Sequence, residues 1–288
     1  MRGTTELDAV ERTALLTAAL RAAESRRPDH LYDDPYAEAL AGEDGPALLA
    51  EVRAATFPKD TARTLPSTPD YNAIRTRLLD DWITAVVSGD DAPAQVVLAP
   101  AGMDSRPYRL DWPAHVRVFE VDRPAVLDWK EERLGDAEPR VRRTAVRADL
   151  VEPDWEDTLI AAGYDPAAPS VWLLEGLLYY IPGPDAERIL ARVAAITAPG
   201  SPVAADIVNA AALTAPSMRG LLDVFAGWGC PWLFGSDEPE ALFARHGFAA
   251  TAVQPGEPDA DFGRWPDPVP PRSETGVRRV FFVRGVRE

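Results

Sequence analysis

The residues of this sequence that could do chemistry together are four acids and one small-residue turn. Pro100-Ala101-Gly102 follows the apolar run 96–99, and Glu120 and Asp122 close the run 116–121. Asp149 follows the stretch 140–148, and Glu175 follows Val171-Trp172-Leu173-Leu174. Each group stands where a short buried strand would end. A small-residue turn lets backbone approach a ligand, and a carboxylate about 20 residues further on can accept hydrogen bonds from ribose hydroxyls. Asp122 stands at that spacing from Gly102, with Glu120 as the alternative. A single carboxylate after a strand is ordinarily a solvated loop residue or a helix cap. Several on one rim of one sheet make a nucleotide cradle.

Holding them on one rim requires an open α/β sheet. Residues 96–99, the turn, a short helix and 116–121 form its opening unit. Third, fourth and fifth strands are read at 140–148, 171–174 and 202–208, with helices at 155–162, 185–197 and 238–246. Alternating strands and helices imply a mainly parallel sheet covered on both faces. The segments 249–254 and 278–284 close it as an antiparallel pair. The first 90 residues read as helices without strands: 7–27, 36–55 with a break at 42–46, and 71–87 after a Pro- and Thr-rich loop at 58–69. They form a helical cap (1–90) on the sheet domain (91–288). Met218, Leu221, Leu222, Phe225 and Trp228 recur at helical spacing in a cap insertion at about 210–237. The whole is expected to be one structural unit.

Composition excludes several classes. At 288 residues and 46% hydrophobic content the chain can bury a sizeable core. No apolar run approaches the roughly 18 residues that cross a bilayer. The N-terminal stretch, with early acids and hydroxyls, does not read as a secretory signal. Cys230 is the one cysteine, so intrachain disulfides and cysteine-built metal sites are excluded, and a cytoplasmic setting is expected. A net charge of −16 argues against a nucleic-acid partner. His30, His115 and His246 lack a metal-ligand neighbour at i+4, and no metal is expected. Hydrolase G-x-S-x-G and phosphate-loop motifs are absent.

The residues Pro100-Ala101-Gly102-Met103-Asp104-Ser105-Arg106, Tyr108-Arg109-Leu110, Phe119-Glu120-Val121-Asp122-Arg123-Pro124 and Lys130 carry a resemblance. So do Thr13-Ala14, Arg21-Ala22-Ala23-Glu24-Ser25, Leu31-Tyr32-Asp33-Asp34-Pro35-Tyr36-Ala37 and Arg75-Thr76-Arg77. From about Thr13 to Val203 the sequence resembles the leucine carboxyl methyltransferase family, in its bacterial branch of S-adenosylmethionine-dependent O-methyltransferases. The resemblance implies a Rossmann-like class I methyltransferase sheet and S-adenosylmethionine as cofactor. It further implies that Asp122 (or Glu120) takes the ribose hydroxyls, Asp149 and Leu150 flank the adenine, and Glu175 takes the ammonium. Arg75 matches the family's cap-helix arginine for the carboxylate, and Tyr180 a tyrosine near the cofactor, the one candidate for a catalytic role. The family's turn reads Gly-Ala-Gly, whereas here the first glycine is Pro100. Proline lacks an N–H and fixes φ near −65°, so a left-handed turn or a donor at that position would have to be rebuilt.

The implied reaction is O-methylation of a carboxylate on a small molecule of secondary-metabolite type. Such an acceptor is ionised at neutral pH, so alignment and not a general base is required. The substrate pocket is expected from the cap turn (His30, Tyr32) and the insertion (Phe225, Trp228, Trp232). Alternatives are altered chemistry on the same scaffold, signalled by Pro100, and a non-catalytic binding protein. A nicotinamide oxidoreductase would need the full glycine fingerprint and a catalytic Tyr/Lys or His.

Overall fold

The computed structural model describes residues 9–55, 65–89, 91–265 and 267–288. The start of the N-terminal stretch and most of the 58–69 loop lie outside the described residues. The cap contains α1 (Ala9–Ser25), α2 (Ala37–Ala41), α3 (Gly45–Ala54) and α4 (Thr68–Val87). The Ser67 hydroxyl caps α4 by accepting the Asp70 N–H at 3.3 Å, and a proline sits in its first turn, where no N–H is missed. The sheet domain follows as β1 (Gln95–Leu98), α5 (Arg106–Arg109), β2 (Arg117–Asp122), α6 (Pro124–Leu134), β3 (Arg142–Arg147), α7 (Trp155–Ala161), β4 (Ser170–Leu174) and α8 (Gly183–Ala195). It ends with β5 (Pro202–Val208), α9 (Ala210–Thr214), α10 (Arg219–Gly227), α11 (Pro239–Ala244), β6 (Phe248–Val253) and β7 (Val280–Arg287).

The seven strands lie in the order β3-β2-β1-β4-β5-β7-β6, parallel except for β7, which runs antiparallel to both neighbours. This is the expected Rossmann-like α/β sheet. β1 and β4 are buried along their whole length, which is why they read as apolar runs without alternation after the polar first residues Gln95 and Ser170. One face is covered by a core that includes Trp155, Trp172, Leu190 and Phe243, the other by Ile74, Leu78, Leu79 and Ile83 of α4 against Val96, Leu98 and Val118. A further core joins cap to domain: Leu15, Leu16 and Leu48 pack with Val126, Met218 and Phe225. Strand order reverses between β1 and β4, and there, beyond the strand ends, an open α/β sheet receives its ligand.

Candidate active site

A cavity of about 290 Å³ opens at that switch point. Its floor is the turn after β1. Gly102 has φ +45°, and a Cβ there would meet nothing nearer than Ala14 Cβ at 3.8 Å, so backbone conformation and not space selects glycine. Pro100 raises no conflict. The Ala99 N–H donates to Leu173 O at 3.0 Å and the Ala101 N–H to Val121 O at 2.9 Å, so bonds to β4 and β2 continue on both sides of the proline. The left-handed position of the turn is Gly102, and the missing glycine at 100 is not needed for it.

Asp122 ends β2 beside this turn. Its carboxylate accepts the Gly102 N–H at 2.7 Å and the Arg123 N–H at 2.8 Å. Burial pushes the carboxyl up to about 6, although both N–H groups pull the other way. The alternative, Glu120, is corrected by the structure. It shares the face of Asp122 but sits two residues, about 6–7 Å, below the rim. There it is fully buried in an ion pair with Lys130 and another with Arg143, and it does not line the cavity. Asp149 and Leu150 do line it, with Asp149 also accepting the Val151 N–H at 3.1 Å.

At the other end, Glu175 follows β4 and lies between two arginines, 2.9 Å from Arg75 Nε and 2.8 Å from Arg106 Nη1. Arg75, on α4, is buried and also pairs with Asp206 at 2.8 Å. Burial opposes its charge, but Tyr71, Asp206 and Glu175 outweigh that and hold it protonated. Asp104 is likewise pushed up by burial, yet Arg106 and then Lys130 bring it down to about 2. Arg21 of α1 closes the cavity from the cap, tied to Asp34 at 2.8 Å and to the Met103 carbonyl.

A second cavity, about 70 Å³ and mostly apolar, lies on the far side of Arg75, Tyr179 and Tyr180, which line both. Phe225 and Trp232 form part of its wall, nearly stacked at 5.6 Å, and Tyr180 meets Phe225 edge-on at 6.0 Å. The other expected pocket residues stand elsewhere. Trp228 is packed behind Phe225, with its Nε1–H donated to Glu51 at 3.2 Å. Tyr32 is buried near the Arg109 guanidinium and lines neither cavity. His30 is exposed, with Nδ1 2.8 Å from the Arg27 carbonyl. A loop histidine between proline breaks has no packing partner to turn it inward.

The structure therefore gathers Arg75, Pro100, Gly102, Asp122, Asp149, Leu150, Glu175 and Tyr180 around one cavity. It also places Asp206, which sequence reasoning missed, at the centre of the partition. Fully buried, Asp206 accepts the Gly176 N–H at 2.6 Å, Arg75 Nη1 and the hydroxyls of Tyr71 and Tyr179. Its signal was an acid inside the apolar strand PVAADIV, since a buried charge requires partners. Among the described residues no cluster of acids, histidines or cysteines could hold a metal, and no helix is long and apolar enough to cross a membrane.

Comparison with known proteins agrees with this architecture. A protein from Parafrankia sp. (strain EAN1pec), provisionally named an S-adenosyl-L-methionine-dependent methyltransferase, is 45% identical over 201 residues, covering 68% of this chain and 62% of the relative. A similarly named Mycolicibacterium smegmatis protein is 41% identical over 199 residues, covering 67% and 65%. The chain thus spans a little under two thirds of the length of these curated relatives. Among solved structures, a duf574 family protein from Streptomyces avermitilis superposes with a TM-score of 0.57 at 16% identity, covering 94% of this chain and 97% of that one. A Thermobifida fusca protein, provisionally named a methyltransferase, gives 0.57 at 17% identity, covering 96% and 94%. At such identities the likeness establishes the fold alone, a mainly parallel α/β sheet with flanking helices. The leucine carboxyl methyltransferase profile matches residues 14–194, from the cap through α8, and the chain belongs to that family.

Proposed function

We propose that the protein is an S-adenosylmethionine-dependent O-methyltransferase acting in the cytoplasm on the carboxylate of a small molecule of secondary-metabolite type. The observation that carries this reading is the convergence of Gly102, Asp122, Asp149 and Glu175 on one cavity at the switch point. Their chemistry fits the cofactor's groups. Asp122 would accept the ribose hydroxyls and Asp149, beside Leu150, the adenine amine. Glu175 would take the ammonium. Arg75 would take the carboxylate: its Nε and Nη1 face Glu175 and Asp206, and among the described residues its Nη2 makes no hydrogen bond. When bound, the cofactor supplies an electrophilic methyl group on a sulfonium.

The chain's own contribution is then alignment and exclusion of water. A carboxylate acceptor is already deprotonated at pH 7, which suits cavities whose linings contain no histidine. Tyr180, shared by both cavities, would position the acceptor against the methyl group. Calorimetric titration with S-adenosylmethionine and S-adenosylhomocysteine tests the first half: saturable heat supports it, and none at millimolar concentration overturns it. Transfer of an isotopically labelled methyl group into a metabolite extract, forming an ester that alkali cleaves, tests the second.

A further inference from the structure

The second cavity carries a polar group that the reaction does not explain. One of its walls is a stripe of α4 in which Asn72 lies one helical turn before Arg75, about 4.5 Å along the axis. Much of the lining is apolar, with Leu16, Leu20, Met218, Leu221 and Phe225, and Thr17 and Thr68 add hydroxyls to it. Asn72 is only 2% exposed, and its Oδ1 is buried with no hydrogen-bond partner among the described residues. A buried carboxamide oxygen without a partner is destabilising, and leucine would fill the same volume without that cost. The Trp232 Nε1–H on the same lining is a buried donor that also lacks a hydrogen-bond partner among the described residues, whereas other nearby polar groups are committed elsewhere. Tyr71 and Tyr179 donate to Asp206, and Arg75, the cation on this wall, is balanced by Glu175 and Asp206. The cavity therefore offers a neutral acceptor, a neutral indole donor and no unbalanced positive charge.

We propose that Asn72 is a specificity-determining residue that accepts a hydrogen bond from a hydroxyl on the apolar body of the acceptor. The substrate class is then a hydroxy-substituted ring carboxylate, its ring against Phe225 and its carboxylate directed past Arg75 towards the first cavity. The carboxylate's fate rests on the methyl-transfer reading above, but recognition of the hydroxylated ring does not.

The test uses benzoate, 3-hydroxybenzoate and 4-hydroxybenzoate as probes, titrated into the full chain with and without S-adenosylhomocysteine. At least one hydroxybenzoate binds roughly 10-fold more tightly than benzoate, a ratio worth about 1.4 kcal/mol. In Asn72→Leu the two bind equally, while the melting temperature of the ligand-free protein rises because the unpaired group is gone. Asn72→Ala, which only deletes the carboxamide, loses the same preference and serves if the leucine variant misfolds. Equal affinity for benzoate and both hydroxybenzoates overturns the proposal. So does a preference that survives both substitutions, or no binding of any probe at millimolar concentration. Failure of S-adenosylhomocysteine to bind, with the hydroxyl preference intact, overturns the methyltransferase reading and leaves this one standing.

Discussion

Asp122 is held in an environment that disfavours its own charge. Burial raises its carboxyl to about 6 from an ordinary value of 3.8. An acid raised on folding favours the native state below pH 3.8, and that contribution is lost as pH rises through 6. Between pH 5 and 7.5 the wild type should therefore lose about 1 kcal/mol of stability relative to Asp122→Asn, read by urea unfolding at the two pH values. Ligand affinity should move the opposite way, because the ionised form is the better acceptor of ribose hydroxyls. S-adenosylhomocysteine should bind progressively more weakly as pH falls below about 6. Asp122→Asn should flatten that limb and bind roughly 10-fold or more weakly at pH 7.5, as loss of a charged hydrogen-bond acceptor entails. Calorimetry across pH checks both. Sequence alone could not choose between Asp122 and Glu120, since both close the same run on the same face. What separates them is depth along the strand, and the buried partners Lys130 and Arg143 that claim the deeper acid.

Two elements, α4 and β5, make the partition between the cavities. α4 brings Tyr71, Asn72 and Arg75 to it, and β5 brings Asp206, 131 residues from Arg75 in sequence. Because Asp206 is fully buried and accepts from four groups, its removal leaves the Gly176 N–H without its acceptor and Arg75 with Glu175 as its remaining close counter-charge. Asp206→Ala should cost about 3–5 kcal/mol of stability, the range for breaking a buried pair from one side. It should also weaken S-adenosylhomocysteine binding, although Asp206 itself does not line the first cavity. Asp206→Asn, whose one carboxamide oxygen can still accept the Gly176 N–H while its NH2 replaces the oxygen that faced the tyrosines and Arg75, should recover part of the stability but less of the affinity. Denaturant titration and calorimetry on the pair of variants separate the two effects. The helical spacing of α4 and the apolar run of β5 were legible in sequence. Their adjacency was not, because it depends on a crossover that no local pattern encodes. The same is true of β7, expected as an antiparallel closing strand and found inserted between β5 and β6.

At the scale of the molecule the question is whether the cap is a separate body. The core joining Leu15, Leu16 and Leu48 to Val126, Met218 and Phe225 argues that it is not. The loop before β7 adds a tie: Arg264 reaches across 240 residues of sequence to Glu24 Oε1 at 2.6 Å and donates to the Asp29 carbonyl, also at 2.6 Å. Both charged side chains are only 6% exposed, so this pair lies beyond the screening that makes surface ion pairs weak. Loss of Arg264 would leave the buried Glu24 of α1, the helix that closes the first cavity through Arg21, with the Leu31 N–H at 2.9 Å and the half-exposed Arg27, 3.7 Å away. Arg264→Ala is therefore expected to destabilise the whole chain by about 3 kcal/mol and to speed release of S-adenosylhomocysteine, with no contact to either cavity. Calorimetric unfolding should still show one transition, at lower temperature, because cap and sheet lose their shared core together. S-adenosylhomocysteine at 100 times its dissociation constant should restore about 2.7 kcal/mol. Two resolved transitions, with the ligand shifting only the upper one, would mean instead that the cap folds independently of the sheet it covers.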